Sequence, residues 1–173
     1  MIPFVHLHNH SHYSLLDGLS KPKEMIKKAK EQSASAMALT DHGVLYGAIE
    51  FYKEALQNDI KPIIGCEAYI NPISRFNRDR NSKYFHIILL AYNNQGYQNL
   101  LKLTTLAHLE GFYYKPRVDI ELLEKYSSGL IATSACLQGQ IPNLLLSGQE
   151  DQALETVKLH QRIFGKENFF IEL

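Results

Sequence analysis

Short apolar runs rich in β-branched residues alternate along this chain with stretches whose apolar positions recur every three to four residues. That alternation predicts strand–helix units around a parallel sheet. Phe4 to Asn9 reads as the first strand. Ser20 is placed to cap a helix with Pro22 in its first turn and Met25, Ile26 and Ala29 as its apolar stripe. Ala36 to Thr40 predicts a second strand, and Val44 to Leu56 a helix with Leu45, Ala48, Ile49 and Tyr52 on one side. Ile63 to Ile70 is a third strand interrupted by Gly65, and Tyr84 to Tyr92 a fourth. Between them Asn71 to Ser82, with Pro72, Arg75, Arg78 and Arg80, reads as an exposed basic loop. A leucine-rich helix covers Gln95 to His108, an aromatic-basic loop Gly111 to Pro116, and a short helix Ile120 to Tyr126. Leu130 to Thr133 begins a fifth strand, two more helical stretches follow, and Phe169 to Leu173 looks like a sixth strand.

Composition narrows the class. A chain of 173 residues with 45% apolar content has enough material for one ordinary core, so residues 1–173 are read as one domain or most of one. No apolar run approaches the roughly 20 residues of a membrane helix, and the start lacks a signal peptide, which predicts a cytoplasmic setting with no membrane partner. Cys66 and Cys136 form no disulfide framework; each is a buried small hydrophobe or a ligand. The 18 basic and 18 acidic residues balance, so the chain lacks the bulk positive field of a free-standing nucleic-acid binder.

The densest chemistry is His6-Leu7-His8-Asn9-His10-Ser11-His12, four of the eight histidines in seven residues, running into Leu15-Leu16-Asp17-Gly18. In an extended strand His6, His8 and His10 project to one side. Other ligand types stand where strands end: Asp41 and His42 after the second, Glu67 in the third, His86 in the fourth, Cys136 after the fifth. In parallel α/β folds those ends build the active site. His, Asp, Glu and one Cys suit zinc, manganese or iron, and more ligands than one tetrahedral ion needs point to a multinuclear centre of the kind that attacks phosphorus. Asp41 is balanced between metal ligand and helix cap. Cys66, beside Glu67, faces the other side of its strand and is expected to be buried. His108 and His160 read as structural, and His6 and His12 as solvent-facing or as hydrogen-bond partners of ligands. Arg75, Arg78 and Arg80 are most simply a solvated loop; the sharper expectation is that they, or Lys115 and Arg117, neutralise a phosphate near the mouth, with Arg75, Arg78 and Arg117 the contacts expected.

These residues bring a family into view. His8-x-His10, Thr40-Asp41-His42-Gly43, Gly65-Cys66-Glu67 and Ser134-Ala135-Cys136 resemble the PHP (polymerase and histidinol phosphatase) superfamily of metal-dependent phosphoesterases. Tyr13 to Gly18, Ile60 to Gly65, Asn94 to Leu100 and Gly111 to Arg117 resemble one branch more closely, the N-terminal PHP domains of bacterial DNA polymerase III alpha subunits. The resemblance covers nearly the whole chain. It implies a distorted seven-stranded (β/α) TIM-like barrel with up to three divalent metals, Zn2+ or Mn2+, at its mouth. Carried over by position, His8, His10 and Glu67 bind the first metal, Glu67 bridges to a second held by His86 and Cys136, and Asp17 with His42 holds a third. The family's late Asp-x-His pair is absent, so the chain is expected to be truncated before its last strand or strands, with an unpaired barrel edge.

The implied activity is hydrolysis of a phosphoester or phosphoanhydride, of the 3′–5′ exonuclease or pyrophosphatase type, within a DNA-directed DNA polymerase of replication. The implied partners are DNA, a separate proofreading exonuclease subunit and other replicase subunits. The alternative is a catalytically inactive, metal-stabilised scaffold that docks the exonuclease; His8, His10, His42 and His86 are all retained, where a degraded site would show Arg, Val or Phe. A stand-alone phosphatase is disfavoured by the polymerase-branch motifs.

Overall fold

The structure, a computed structural model, describes residues 4–173. The elements run α1 (Pro22–Glu31), β1 (Ala36–Leu39), α2 (Ala48–Gln57), β2 (Lys61–Ile70), β3 (Phe85–Ala91), α3 (Asn94–Leu109), β4 (Phe112–Tyr113), β5 (Lys115–Val118), α4 (Ile120–Tyr126), β6 (Leu130–Thr133), α5 (Gln140–Leu146), α6 (Glu150–Phe164) and β7 (Phe169–Phe170). Local chemistry explains several boundaries. Asn93 caps α3 by accepting from the Gly96 N–H, and Asp119 caps α4 by accepting from Leu122 N–H, each an interaction of about 1 kcal/mol. The apolar stripe Met25, Ile26 and Ala29 is buried as its spacing predicts, but Ser20 is no cap: Lys21 holds that position without a side-chain bond, and Pro22 opens the helix.

The seven strands form one sheet in the order β4-β5-β2-β3-β6-β7, with β1 added to β2. The sheet is mixed, which corrects the expectation of parallel pairing throughout. β2 lies parallel to β1 and β5, and β6 parallel to β7, but β3 runs antiparallel to both of its neighbours, β2 and β6. Between β2 and β3 lies an irregular arginine loop, not a crossover helix, and such a link lets the next strand turn back.

The predicted first strand is also corrected. Residues 4–10 pass beside β1 but make only two backbone bonds to it, Ala38 N–H to His6 O and Thr40 N–H to Asn9 O. The Asn9 side chain intervenes, donating from Nδ2 to both His6 O and Ala38 O at 3.1 Å. A side-chain amide thus takes acceptors that a regular ladder would use, and the segment stays irregular.

β2 organises the molecule because its two faces do different things. Cys66, Ala68 and Ile70 point to the main core, where they pack with Leu89, Leu100, Leu103, Leu123 and Val118. Each such leucine, fully buried, stabilises by roughly 1.5–3 kcal/mol. By alternation Gly65, Glu67 and Tyr69 face the other way, beside the small inner cluster of Ala38, Ile88, Leu90 and Ala135. Gly65 is required, since a Cβ there would sit 2.7 Å from Leu89 O and 2.6 Å from Leu90 Cδ2. A carboxylate on an inner face therefore has no water to turn to, and must find partners within the fold.

Candidate metal centre

Those partners are histidines. Glu67, 1% exposed, has His86 Nδ1 at 2.8 Å and His8 Nε2 at 3.2 Å from Oε1, and His42 Nδ1 at 2.6 Å and His10 Nε2 at 3.2 Å from Oε2. Each ring arrives on a different piece of chain. His8 and His10 come from the irregular segment beside β1. His42 follows β1 and bridges Glu67 by backbone as well, Gly43 N–H donating to Glu67 O and Glu67 N–H to Asp41 O. His86 stands in β3 opposite Tyr69, on the same inner face. Two sets of three, His8–His10–Glu67 and His42–Glu67–His86, present ligand atoms within 4.8 Å of one another.

The rim carries two more expected residues. Asp17 Oδ2 lies 3.1 Å from His42 Nε2 with its side chain 65% exposed. Cys136 Sγ lies 3.8 Å from Glu67 Oε1 and 3.9 Å from His86 Nδ1. Burial, then the nearby Glu67 charge, keep the Cys136 thiol above its ordinary range, so in the metal-free protein it is a thiol.

Hydrogen-bond accounting shows which way the rings face. His8 Nδ1 donates to Glu172 Oε1 at 2.7 Å. His10 Nδ1 donates to Ser14 Oγ at 2.9 Å, and the Ser14 hydroxyl donates onward to Asp41 Oδ1 at 2.7 Å. Both neutral rings then present Nε2 lone pairs to Glu67 and to each other, the two Nε2 atoms standing 3.2 Å apart. On the other side His42 Nδ1 and Glu67 Oε2, although only 2.6 Å apart, are out of line for an N–H···O bond, and both are left buried without a hydrogen-bond partner. Imidazole nitrogens gathered on one carboxylate, with two facing atoms 2.6 Å apart and unbonded, fit a divalent cation, and imidazole with carboxylate is a donor set for zinc, manganese or iron.

Electrostatics agree. Burial alone would raise the Glu67 carboxyl, but hydrogen bonding from His10, His42, His8 and His86 outweighs it and holds the group far below the usual carboxylate range. Burial acts to lower His8, yet its bonds to Glu172 and Glu67 prevail and push it up to about 9. Without a cation, the cup holds a proton on that ring.

Other expected residues lie elsewhere or act differently. Asp41 is neither an obvious ligand nor a helix cap: it is buried and accepts from Ser11 N, Ser11 Oγ and Ser14 Oγ, which folds the loop that delivers His10. The same loop closes at Gly18, where a Cβ would meet Ser11 O at 1.8 Å. His6 is exposed against Phe4, and His12 lies against Tyr13. His108 and His160 bond to Thr104 O and Thr156 O on their own helices, as structural residues do. Cys66 is fully buried in the core.

The phosphate-contact expectation for Arg75, Arg78 and Arg117 is corrected by geometry. Arg75 is buried and pairs with Glu110 at 2.7 Å, Asp119 at 3.0 Å and Glu121 at 3.1 Å. Arg117, 1% exposed, donates to the carbonyls of Gly111, Arg75 and Asn77. Arg78 is exposed, but its guanidinium donates to Arg75 O and Glu110 O. These arginines tie the loop to α4 and β5. Lys115 alone of the basic candidates stands near the cup, its Nζ 5.2 Å over the Tyr69 ring, which in turn meets the His86 ring at 5.1 Å.

Sequence reasoning missed Glu172 and Ser14, which hold the backs of His8 and His10. Glu172 sits just past β7, and an acidic residue at the end of a strand was the one available signal.

The comparisons bear on this geometry directly. DNA polymerase III subunit alpha of Borreliella burgdorferi is 53% identical over 173 residues, 98% of this chain and 15% of that protein. The namesake proteins of Treponema pallidum and Thermus aquaticus are 49% and 47% identical, over 98% and 99% of this chain and 15% and 14% of theirs. The chain thus spans about 15% of the length of these relatives. Residues 6–173 match the PHP domain. With nearly every residue of the α/β domain inside that match, this chain belongs to the PHP domain family.

Proposed function

We propose that residues 1–173 form the N-terminal domain of a replicative DNA polymerase III alpha subunit and carry a multinuclear-metal phosphoesterase site. The observation that carries this reading is one buried carboxylate, Glu67, with nitrogens of four histidines within 3.2 Å, and with its Oε2 and the facing His42 Nδ1 left buried without a hydrogen-bond partner. His8, His10 and Glu67 would hold one cation, Glu67, His86 and Cys136 a second, and His42 with Asp17 a third; the ions are zinc or manganese. When bound, such cations supply Lewis acidity, both acidifying water and offsetting charge that develops on phosphoryl oxygens.

The chain's own residues do the rest. Glu67, held anionic by its four rings, keeps negative charge at the centre of the cup at any neutral pH. His42 Nε2 and Asp17 stand 3.1 Å apart at the rim, where the site opens to solvent. Lys115 supplies a cation at the mouth for a substrate phosphate, and the buried ring of Tyr69 beneath it limits water on that side. Substrates that suit a replicase are a mispaired 3′ terminus, cleaved as a 3′–5′ exonuclease does, or the pyrophosphate released by synthesis. DNA, a proofreading exonuclease subunit and other replicase subunits are the partners, in the cytoplasm; among the described residues no helix is long and apolar enough to cross a membrane.

The test incubates the full-length protein with Mn2+ or Zn2+ and a labelled primer carrying a 3′ mismatch, beside a pyrophosphate assay, in wild type and His8→Ala. Metal-dependent hydrolysis lost in the variant supports the reading. Hydrolysis unchanged by the variant counts against it, and tightly held metal with neither activity favours the docking scaffold instead.

A further inference from the structure

The back of the His8 ring is built with more care than a solvent-facing nitrogen needs. Glu172 receives the Nδ1–H of His8 on Oε1 at 2.7 Å and the Thr133 hydroxyl on Oε2 at 2.6 Å. Its own N–H donates to Ser134 Oγ at 2.9 Å. The carboxylate is therefore fixed through its main chain and one oxygen, with the other oxygen left for the imidazole. Among the described residues no lysine or arginine lies within salt-bridge distance of Glu172, and its ion partner is His8. The two residues stand 164 positions apart, so this contact exists only once β7 has docked on β6.

Three consequences follow for the ring. A neutral imidazole whose Nδ1 carries the proton presents a lone pair at Nε2, and Nε2 is the atom aimed at Glu67 and His10. The anionic acceptor strengthens that lone pair as a donor to a cation. The bond also stops the ring from rotating out of register, since Nδ1 is tied to Glu172 while Nε2 faces Glu67. His10 receives a weaker version of the same support from Ser14, a neutral acceptor that passes its own proton to Asp41. His42 and His86 are oriented differently, turning Nδ1 toward Glu67, and His42 Nε2 meets only the exposed Asp17.

We infer that Glu172 is a positioning residue of the metal centre, fixing His8 in the Nδ1–H tautomer so that Nε2 faces the cation, with Thr133 holding Glu172 in turn. This rests on the reading of the cup as a metal site, and the two fail in different ways.

The experiment titrates the metal-stripped, full-length protein with Co2+ and follows the ligand-field absorption of the bound ion, against a competing chelator for affinity. Glu172→Ala weakens Co2+ binding by about 10–100-fold and alters the absorption at saturation, because His8 no longer approaches in its fixed orientation. Glu172→Gln, whose amide oxygen still accepts from Nδ1–H, recovers most of the loss, to within about threefold of wild type. Thr133→Val, which keeps the carboxylate but frees Oε2, weakens binding less than Glu172→Ala and serves if the alanine variant misfolds. Glu172→Ala with wild-type affinity and spectrum overturns the inference while leaving the metal site standing, and so does a Gln variant as weak as Ala. A wild-type protein that takes up no Co2+ overturns the metal reading itself.

Discussion

Around Arg75, three arginines meet three carboxylates and a set of carbonyls, and around Glu67, four imidazoles meet one carboxylate; the same kinds of group give opposite results. In the arginine cluster donors outnumber acceptors only locally, and each buried guanidinium ends on an oxygen. In the histidine cup the matching is incomplete. Of the three buried side-chain polar atoms without a hydrogen-bond partner among the described residues, two, His42 Nδ1 and Glu67 Oε2, lie in the cup and none in the arginine cluster. A saturated cluster is complete and holds a loop in place; an unsaturated one is complementary to something else. Both look alike as lists of charged residues.

The largest test of that contrast is Glu67→Ala. It should remove metal retention altogether, well over the roughly 10–100-fold that outer partners contribute, read as metal content after dialysis against a weak chelator. Arg75→Ala should do the reverse. With Asp119 left buried and unpaired it should cost about 3–5 kcal/mol in the urea transition of this domain, with metal content unchanged. An Arg75→Ala protein that lost metal but not stability would erase the distinction between the two clusters.

Next in size is a pH effect confined to the cup. In the metal-free protein the His8 pKa is raised from 6.5 to about 9, so His8 contributes stability that is fully present below about pH 6.5 and is lost as pH rises through about 9, on the order of 3 kcal/mol. Metal binding must displace that proton, so affinity should rise with pH by up to about tenfold per unit until about pH 9 and then level off. Calorimetry in two buffers of different ionisation enthalpy measures the proton released. The smallest effect expected is from Ser14→Ala, about tenfold in metal affinity, because a neutral acceptor supports His10 where a carboxylate supports His8.

Much of this was legible in the chain because it rests on local rules. The period-two run through Gly65-Cys66-Glu67 put Glu67 and Cys66 on opposite faces, and the core confirms Cys66 inside. Ile120–Tyr126 and Leu130–Thr133 follow their patterns residue for residue. What escaped depends on distance. Arg75 read as part of a solvated loop because its partners Glu110, Asp119 and Glu121 lie 35 to 46 positions on. The reversal of β3 is a property of the loop before it, and hydrophobic pattern carries no direction. The irregular course of residues 4–10 follows from a single amide, Asn9, competing for backbone acceptors. Glu172 looked like an ordinary terminal carboxylate until the fold brought it to His8.

The most direct measurement is anomalous diffraction at the zinc and manganese edges from crystals of the full-length protein grown with each ion. The account predicts anomalous density within the cup, at roughly 2.0–2.3 Å from His8 Nε2, His10 Nε2 and Glu67, with further density toward His86 and His42. Anomalous density elsewhere on the protein, with none between these side chains, would contradict it.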